Sequence, residues 1–361
     1  KVFEELEIYQ YVNILGFILG IAFGVIAQKQ QFCFSGSIKD YILTKSTRRG
    51  ASVIMAMIVA VLATTLMTNQ FDISLTDTNY HKSDINFVAI IIGGLMFGAG
   101  MMIADGCSNR SLIKFGQGDS KALITLLFIG IFAYGTTKGF LSGALAPFVN
   151  NPTLIKLSSY IGNFEMNVFV VLAILFVILL ILTKSIKRIF TLVDGILVGL
   201  LVAVAWYITT VIGSESMERI INPAGITFVY PTAQSLELFM FYQVSEFSFA
   251  ISVITGALIG AFSMSKVNKR YSFGCTSGQN IDRVKYNMIG GALMGVGGIL
   301  SIGCTVGQGL TGLSTLAFAS AIAIFSIFIG GLITAKFLNK RELLPMCFLF
   351  EWDDTPPDYQ I

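Results

Sequence analysis

Gly93-Gly94-Leu95-Met96-Phe97-Gly98-Ala99-Gly100, closing on Gly106-Cys107-Ser108, is matched by Gly290-Gly291-Ala292-Leu293-Met294-Gly295-Val296-Gly297, closing on Gly303-Cys304-Thr305. Gly93, Gly94, Gly98, Gly100, Gly106 and Cys107 each find an identical residue 197 positions later. Small residues spaced four apart let one helix backbone approach another closely. Each run therefore predicts a tightly packed apolar helix that breaks at a Gly-Cys corner. A second echo joins Cys33-x-Ser35-Gly36-x-x-x-Asp40 to Cys275-x-Ser277-Gly278-x-x-x-Asp282. Paired thiols beside paired helix breaks point to a membrane permeation site built from two related halves.

The remainder of the chain fits that setting. Apolar residues make up 54% of it and charged residues 12%, where a soluble domain carries about 25% charge. This is the composition of an integral membrane protein. A net charge of +3, with no basic run interleaved with aromatics, excludes a nucleic-acid partner and leaves membrane lipid as the surrounding medium. Five cysteines without a Cys-x-x-Cys pair exclude a zinc knuckle or a thioredoxin-type dithiol by spacing. The single histidine, His81, rules against haem and histidine-rich metal sites. We expect no metal, no cofactor and no catalytic constellation.

A spanning helix needs about 20 mostly apolar residues. Stretches without charge predict nine: roughly 9–28, 51–70, 86–104, 122–137, 166–183, 195–213, 247–265, 286–303 and 312–335. That count leaves 19 of the 24 basic residues on one side. The positive-inside bias places the N-terminus outside and the C-terminus in the cytoplasm. The expected fold is an all-α polytopic membrane protein of about nine transmembrane helices, with short re-entrant helices and internal inverted repeats. Residues 1–140 form the first membrane repeat, with the Cys33 and Cys107 loops. Residues 141–245 form connecting helices and an external loop, 246–338 the second repeat with the Cys275 and Cys304 loops, and 339–361 a cytoplasmic tail. Within the connection, 214–246 reads either as an interfacial lid or as an ordinary outer loop.

The corners carry the chemistry. From Tyr286 through Ala335 there are 50 residues without charge, and Gly303-Cys304-Thr305-Val306-Gly307-Gln308-Gly309 lies inside that run. Irregular backbone at membrane depth is tolerated only where protein or a water-lined cavity satisfies it. Thr305 is a candidate cap for a half-helix whose N-terminus favours an anion. At Gly106-Cys107-Ser108-Asn109-Arg110, Ser108 or Asn109 can cap and Arg110 adds a cation. Gln31 through Asp40 supplies a third corner, too short and polar to span. The candidate transport residues are Cys33, Cys107, Cys304, Cys275, Gly106, Gly303, Ser108, Thr305, Arg110 and Gln308. Each has a plainer reading: buried cysteine usually acts as a small hydrophobe, and Gln117 and Gln308 can serve packing. Asp105 either takes part in function or pairs locally with Arg110. Cys275 either shares the role of Cys33 or simply mirrors its pattern. Thiols are soft, weak donors. They suit a sulfur-rich ligand better than phosphate, and weak successive sites allow release.

At these residues the chain resembles the YeeE/YedE family of sulfur transporters. The resemblance rests on Gln31-x-Cys33-Phe34-x-Gly36-x-x-Lys39-Asp40, on Phe97-Gly98-x-Gly100 running to Gly106-Cys107, on Gly290 to Gly295, and on Ile302-Gly303-Cys304-Thr305-Val306-Gly307-Gln308-Gly309-Leu310. It implies a bacterial inner-membrane protein that takes up thiosulfate, or a related sulfur oxyanion, for sulfur assimilation. Cys33, Cys107 and Cys304 would hand the ion inward, and a small cytoplasmic carrier of the TusA type would receive the sulfur. Lys39 stands where arginine often precedes the aspartate, and Cys275 adds a fourth corner thiol. Both leave a selenium compound open as substrate. Two other classes compete. A membrane thiol or persulfide redox protein would need a resolving pair, and a soft-metal permease would bind Cu(I) through thiolates.

Overall fold

The computed structural model describes residues 7–75, 78–81, 85–151, 166–184, 192–216, 219, 221–241, 247–271 and 281–344. Cys275, Cys347 and most of the tail lie outside them. The described residues are helical, with no strand among them. In chain order the helices are α1 (Ile8–Gln30), α2 (Phe34–Thr44), α3 (Arg48–Phe71), α4 (Phe87–Ile103), α5 (Ser108–Gly116), α6 (Ser120–Thr137) and α7 (Ser142–Val149). There follow α8 (Val168–Thr183), α9 (Val193–Tyr207), α10 (Val229–Met240), α11 (Phe249–Val267), α12 (Ile281–Leu300) and α13 (Phe318–Lys340). Two π-helical turns, Ile208–Ile212 and Gly307–Gly312, follow α9 and the Cys304 corner. Asparagine and aspartate set several starts: Asn86 accepts from the Val88 and Ala89 amides, and Asp119 from the Lys121 amide. Such caps satisfy first-turn donors that would otherwise be orphaned.

Seven of the described helical segments are long and apolar enough to cross a membrane. Of the nine expected stretches, 166–183 forms the shorter apolar helix α8. The stretch 286–303 forms the body of α12, whose first turns carry Asp282, Arg283 and Lys285. Large side chains point away from the bundle: Phe169 is 81% exposed, Leu66 68% and Phe325 64%. A water-facing surface would not carry such a band, whereas lipid accepts it.

The glycine runs act where backbones touch. A Cβ added at Gly98 would fall 2.2 Å from the Ile327 carbonyl oxygen on α13, and one at Gly295 would fall 2.7 Å from the Ile129 carbonyl oxygen on α6. Gly93 faces Gly297, and Gly100 faces Gly290. These contacts run α4 and α12 antiparallel, with each packed along the helix that follows the other's corner. The exchange is reciprocal. A residue of α4 and its equivalent 197 positions later meet equivalent neighbours, as the Gly93–Gly297 and Gly290–Gly100 pairs illustrate. Gly20 and Gly24 of α1 similarly meet Val253 and Ala257 of α11, with both helices running the same way.

These approaches set the first prediction. Gly98→Leu puts a branched chain into backbone contact, and overpacking of this kind costs about 1–3 kcal/mol. We expect a lower midpoint of thermal unfolding in detergent, read by size-exclusion chromatography after heating. Gly143→Ala, whose added methyl meets nothing within 4 Å, should leave the midpoint in place. Equal midpoints for the two variants would contradict the packing described.

Candidate functional site

The site is built from interruptions. After α4 the chain turns through Asp105 (φ 60°) and Gly106 (φ 157°), and after α12 through Ile302 (φ 60°) and Gly303. The amide of Gly106 closes on the Met101 carbonyl at 2.9 Å, and that of Gly303 on the Gly298 carbonyl at 2.8 Å. The two corners are therefore the same turn, made twice. Gly106 is required on two counts: its φ is one that side chains rarely adopt, and an added Cβ would lie 2.9 Å from Arg110 Cγ. A third interruption follows α1, where Gln31 takes φ 57°.

At each interruption a cysteine stands immediately before the new helical segment. The N-cap positions are thus Cys107 and Cys304, with Ser108, Asn109 and Thr305 in the first turns instead; Cys107 itself makes no side-chain cap bond. Cys33 is extended, and its sulfur accepts from the Gly36 amide at 3.3 Å. Cys304 accepts from the Gly307 amide at 3.3 Å. The reason is geometric: only the residue before the first turn can point its side chain back at the third amide. Each thiol consequently sits at a helix N-terminus, where partial positive charge favours an anion.

All three thiols are buried and unbridged. Cys33 Sγ lies 3.1 Å from the Ser35 hydroxyl. The Cys107 and Cys304 corners adjoin, since Cys107 and Thr305 line the same cavity. Between them lies a small cavity lined by Phe32, Phe34, Cys107, Asn109, Thr305, Val306 and Leu310, with Val53 and Met57 of α3. Its volume is about 10 Å³, room for about one water molecule. The cavity holds nothing larger in this conformation.

Some residues at the site carried no signal in sequence. Thr227 Oγ1 lies 3.9 Å from Cys304 Sγ, so a hydroxyl faces Cys304 as the Ser35 hydroxyl faces Cys33. Its segment, 221–228, belongs to the region expected as a lid or an outer loop. It is neither over this part: Ile226 and Phe228 are buried. Thr311 Oγ1 donates to the Ile226 carbonyl at 2.7 Å, and the Ala224 amide donates to Thr209 Oγ1 at 3.2 Å in the π turn after α9. A π turn in a helix commonly marks a functional position.

The charges fall at one end. Asp105 receives the ammonium groups of both Lys39 and Lys114, the latter at 2.6 Å, and its carbonyl also accepts from Lys114 at 2.7 Å. Arg110 Nη2 donates to Gln31 Oε1, so the local partner expected for Asp105 has a different acceptor. Arg49 pairs with Asp40 at 3.3 Å. Gln308 spends its amide donor on the Ser301 carbonyl at 2.6 Å, and Gln117 donates to the Arg270 carbonyl at 3.0 Å. Both amides thus brace backbone at the ends of their helices. Among the described residues no cluster of His, Cys, Asp and Glu could hold a metal ion.

A polytopic helical bundle with closed half-helix corners at its centre defines a membrane transport protein. The profile of the family described as "Sulphur transport" matches residues 29–333, and the chain belongs to that family. Among curated relatives, the thiosulfate transporter TsuA of Escherichia coli (strain K12) is 23% identical over 349 residues, covering 87% of this chain and 91% of that protein. The thiosulfate transporter TsuA of Spirochaeta thermophila is 25% identical over 346 residues, covering 90% of this chain and 99% of that protein.

The Lys39–Asp105–Lys114 arrangement makes a stability prediction. Asp105→Asn leaves two ammonium groups buried without their shared carboxylate, and breaking a buried ion pair costs about 3–5 kcal/mol. A marked drop in unfolding temperature is expected, partly recovered by adding Lys39→Met. An Asp105→Asn protein as stable as the parent would show that the carboxylate carries no such load.

Proposed function

We propose that this protein takes up thiosulfate across a bacterial cytoplasmic membrane for sulfur assimilation, passing the dianion by weak contacts along Cys304, Cys107 and Cys33. The observation carrying this reading is three buried thiols, each directly before a helical segment, with Cys107 on a central cavity that the neighbours of Cys33 (Phe32, Phe34) and of Cys304 (Thr305, Val306) also line. Family membership and the two thiosulfate-transporting relatives set the substrate class. A thiol donates weakly to sulfur and leaves the ion free to move on, as conduction needs. Helix N-termini supply much of the attraction, which avoids a costly bare charge at the bilayer centre.

Topology follows the same reading. Nine crossings place the N-terminus outside and the C-terminus in the cytoplasm, in keeping with the basic-residue bias. The helix directions fit that count: α1 runs parallel to α11, α4 to α13 and α6 to α12, while α4 opposes α12. The reciprocal contacts of α4 and α12 support inverted repeats within 1–140 and 246–338. Cys304 then lies toward the outer face, and Cys33 with the Asp105 cluster toward the inner one. A TusA-type carrier would collect the sulfur at that inner end. The role is transport rather than catalysis.

Uptake assays test the relay. Cys33→Ala, Cys107→Ala and Cys304→Ala should each reduce thiosulfate uptake into cells by at least about tenfold, the size of one hydrogen bond to an ion. Normal uptake by all three would sink the relay. Proteoliposomes offered thiosulfate, sulfate, selenite and Cu(I) side by side should accumulate thiosulfate. Accumulation of selenite or Cu(I) in its place would reassign the substrate.

A further inference from the structure

The two repeated corners share backbone geometry and differ in charge. At the first, Asp105, Arg110 and Lys114 stand where the second has Ile302, Gly307 and Thr311. One corner is ionic and the other neutral, although the turn is the same. Arg110 is 6% exposed, three residues after Cys107, and its bond to Gln31 joins it to the segment that carries Cys33 two residues on. Its guanidinium is held by Gln31 Oε1. Gln31 is fully buried, and its own amide nitrogen has no hydrogen-bond partner among the described residues. A buried amide donor left unsatisfied is costly, and such a group in a native protein calls for an explanation such as an absent ligand.

From this we infer that Arg110 and Gln31 form an oxyanion station beside the Cys33 and Cys107 thiols, holding the sulfonate end of the transported dianion. This rests on the thiosulfate reading above and adds an orientation to it. A planar guanidinium matches two oxygens of a tetrahedral oxyanion. The Gln31 amide supplies a further donor. The soft terminal sulfur is left for the thiols, which make no comparable bond to oxygen. The positive φ of Gln31 places its side chain against Arg110 rather than continuing α1. The absence of a Cβ at Gly106 gives the Arg110 stem its space. Recognition is thereby divided: hard oxygens on the cation and amides, soft sulfur on the thiols. Sulfate carries the same oxygen face without the soft end. It occupies the station and competes, but finds no second contact for onward transfer.

The full chain in proteoliposomes supplies the test, with labelled thiosulfate as the transported ion and unlabelled sulfate as the competitor. In the parent protein, sulfate should raise the half-saturation concentration for thiosulfate without lowering the maximal rate. Arg110→Gln and Gln31→Leu should each raise that half-saturation concentration about tenfold and weaken sulfate competition by a similar factor, the effect of one charge-assisted hydrogen bond. Arg110→Lys, which keeps the charge and loses the fork, should fall between. Gly143→Ala, outside the site, should leave sulfate competition unchanged. Should Arg110→Gln fail to fold, Gln31→Leu and the parent protein carry the measurement. The station is refuted if sulfate does not compete in a parent protein that takes up thiosulfate. It is equally refuted if folded Arg110 and Gln31 variants keep parental sulfate competition. A parent that takes up no thiosulfate overturns the transport reading instead. In that case sulfate raising the unfolding temperature of the parent but not of Gln31→Leu would still support the station.

Discussion

Interrupting a helix inside a bilayer leaves amides and carbonyls that water cannot reach, and this constraint shapes the centre of the protein. The solution is applied at more than one place. A positive-φ residue ends the helix, and a cysteine caps the next segment with its sulfur. At Cys33 and Cys304 the capping atom is the one that the proposed transport route would use as a soft contact. A serine or aspartate would cap as well or better, but would offer a hard oxygen to the path. The requirement of the backbone and that of the substrate thus select one residue type.

Close glycine packing makes the interruptions possible. α4 and α12 approach through Gly93, Gly100, Gly290 and Gly297 until their backbones touch. Lipid gives helices little hydrophobic reason to associate, so van der Waals contact of this kind holds the bundle. It also brings the two corners within reach of each other, so that Cys107 and Thr305 line one cavity across the repeat boundary. The resulting cavity is too small for an oxyanion. A closed centre flanked by π-helical turns fits a device that opens around its cargo rather than a standing pore.

The ionic groups add asymmetry to a duplicated frame. Lys39, Lys114 and Asp105 tie α2, the first corner and α5 together. The equivalent positions of the second corner carry no charge. The frame is matched in both halves, and the electrostatics are not. On the proposed route a dianion would meet a gradient rather than a mirror.

Sequence alone determined the membrane class, the apolar helices and the Gly-Cys corners. These depend on local composition and on spacing along one helix, which physics reads in one dimension. It also singled out Cys107 and Cys304 as candidates, because they repeat at the 197-position offset, and Cys33 through the family resemblance. Only the tertiary structure decided what faces each thiol. Lys39 reaches Asp105 across 66 positions, Thr227 reaches Cys304 across 77, and Arg110 reaches Gln31 across 79. No periodicity encodes such pairs, since they arise from how helices cross. Thr227 in particular lay in a stretch without a motif, and Asp105 had a nearer candidate partner in Arg110. The caps moved by one residue for a similar reason: capping follows the φ and ψ of the corner, which the fold fixes and the residue types only permit.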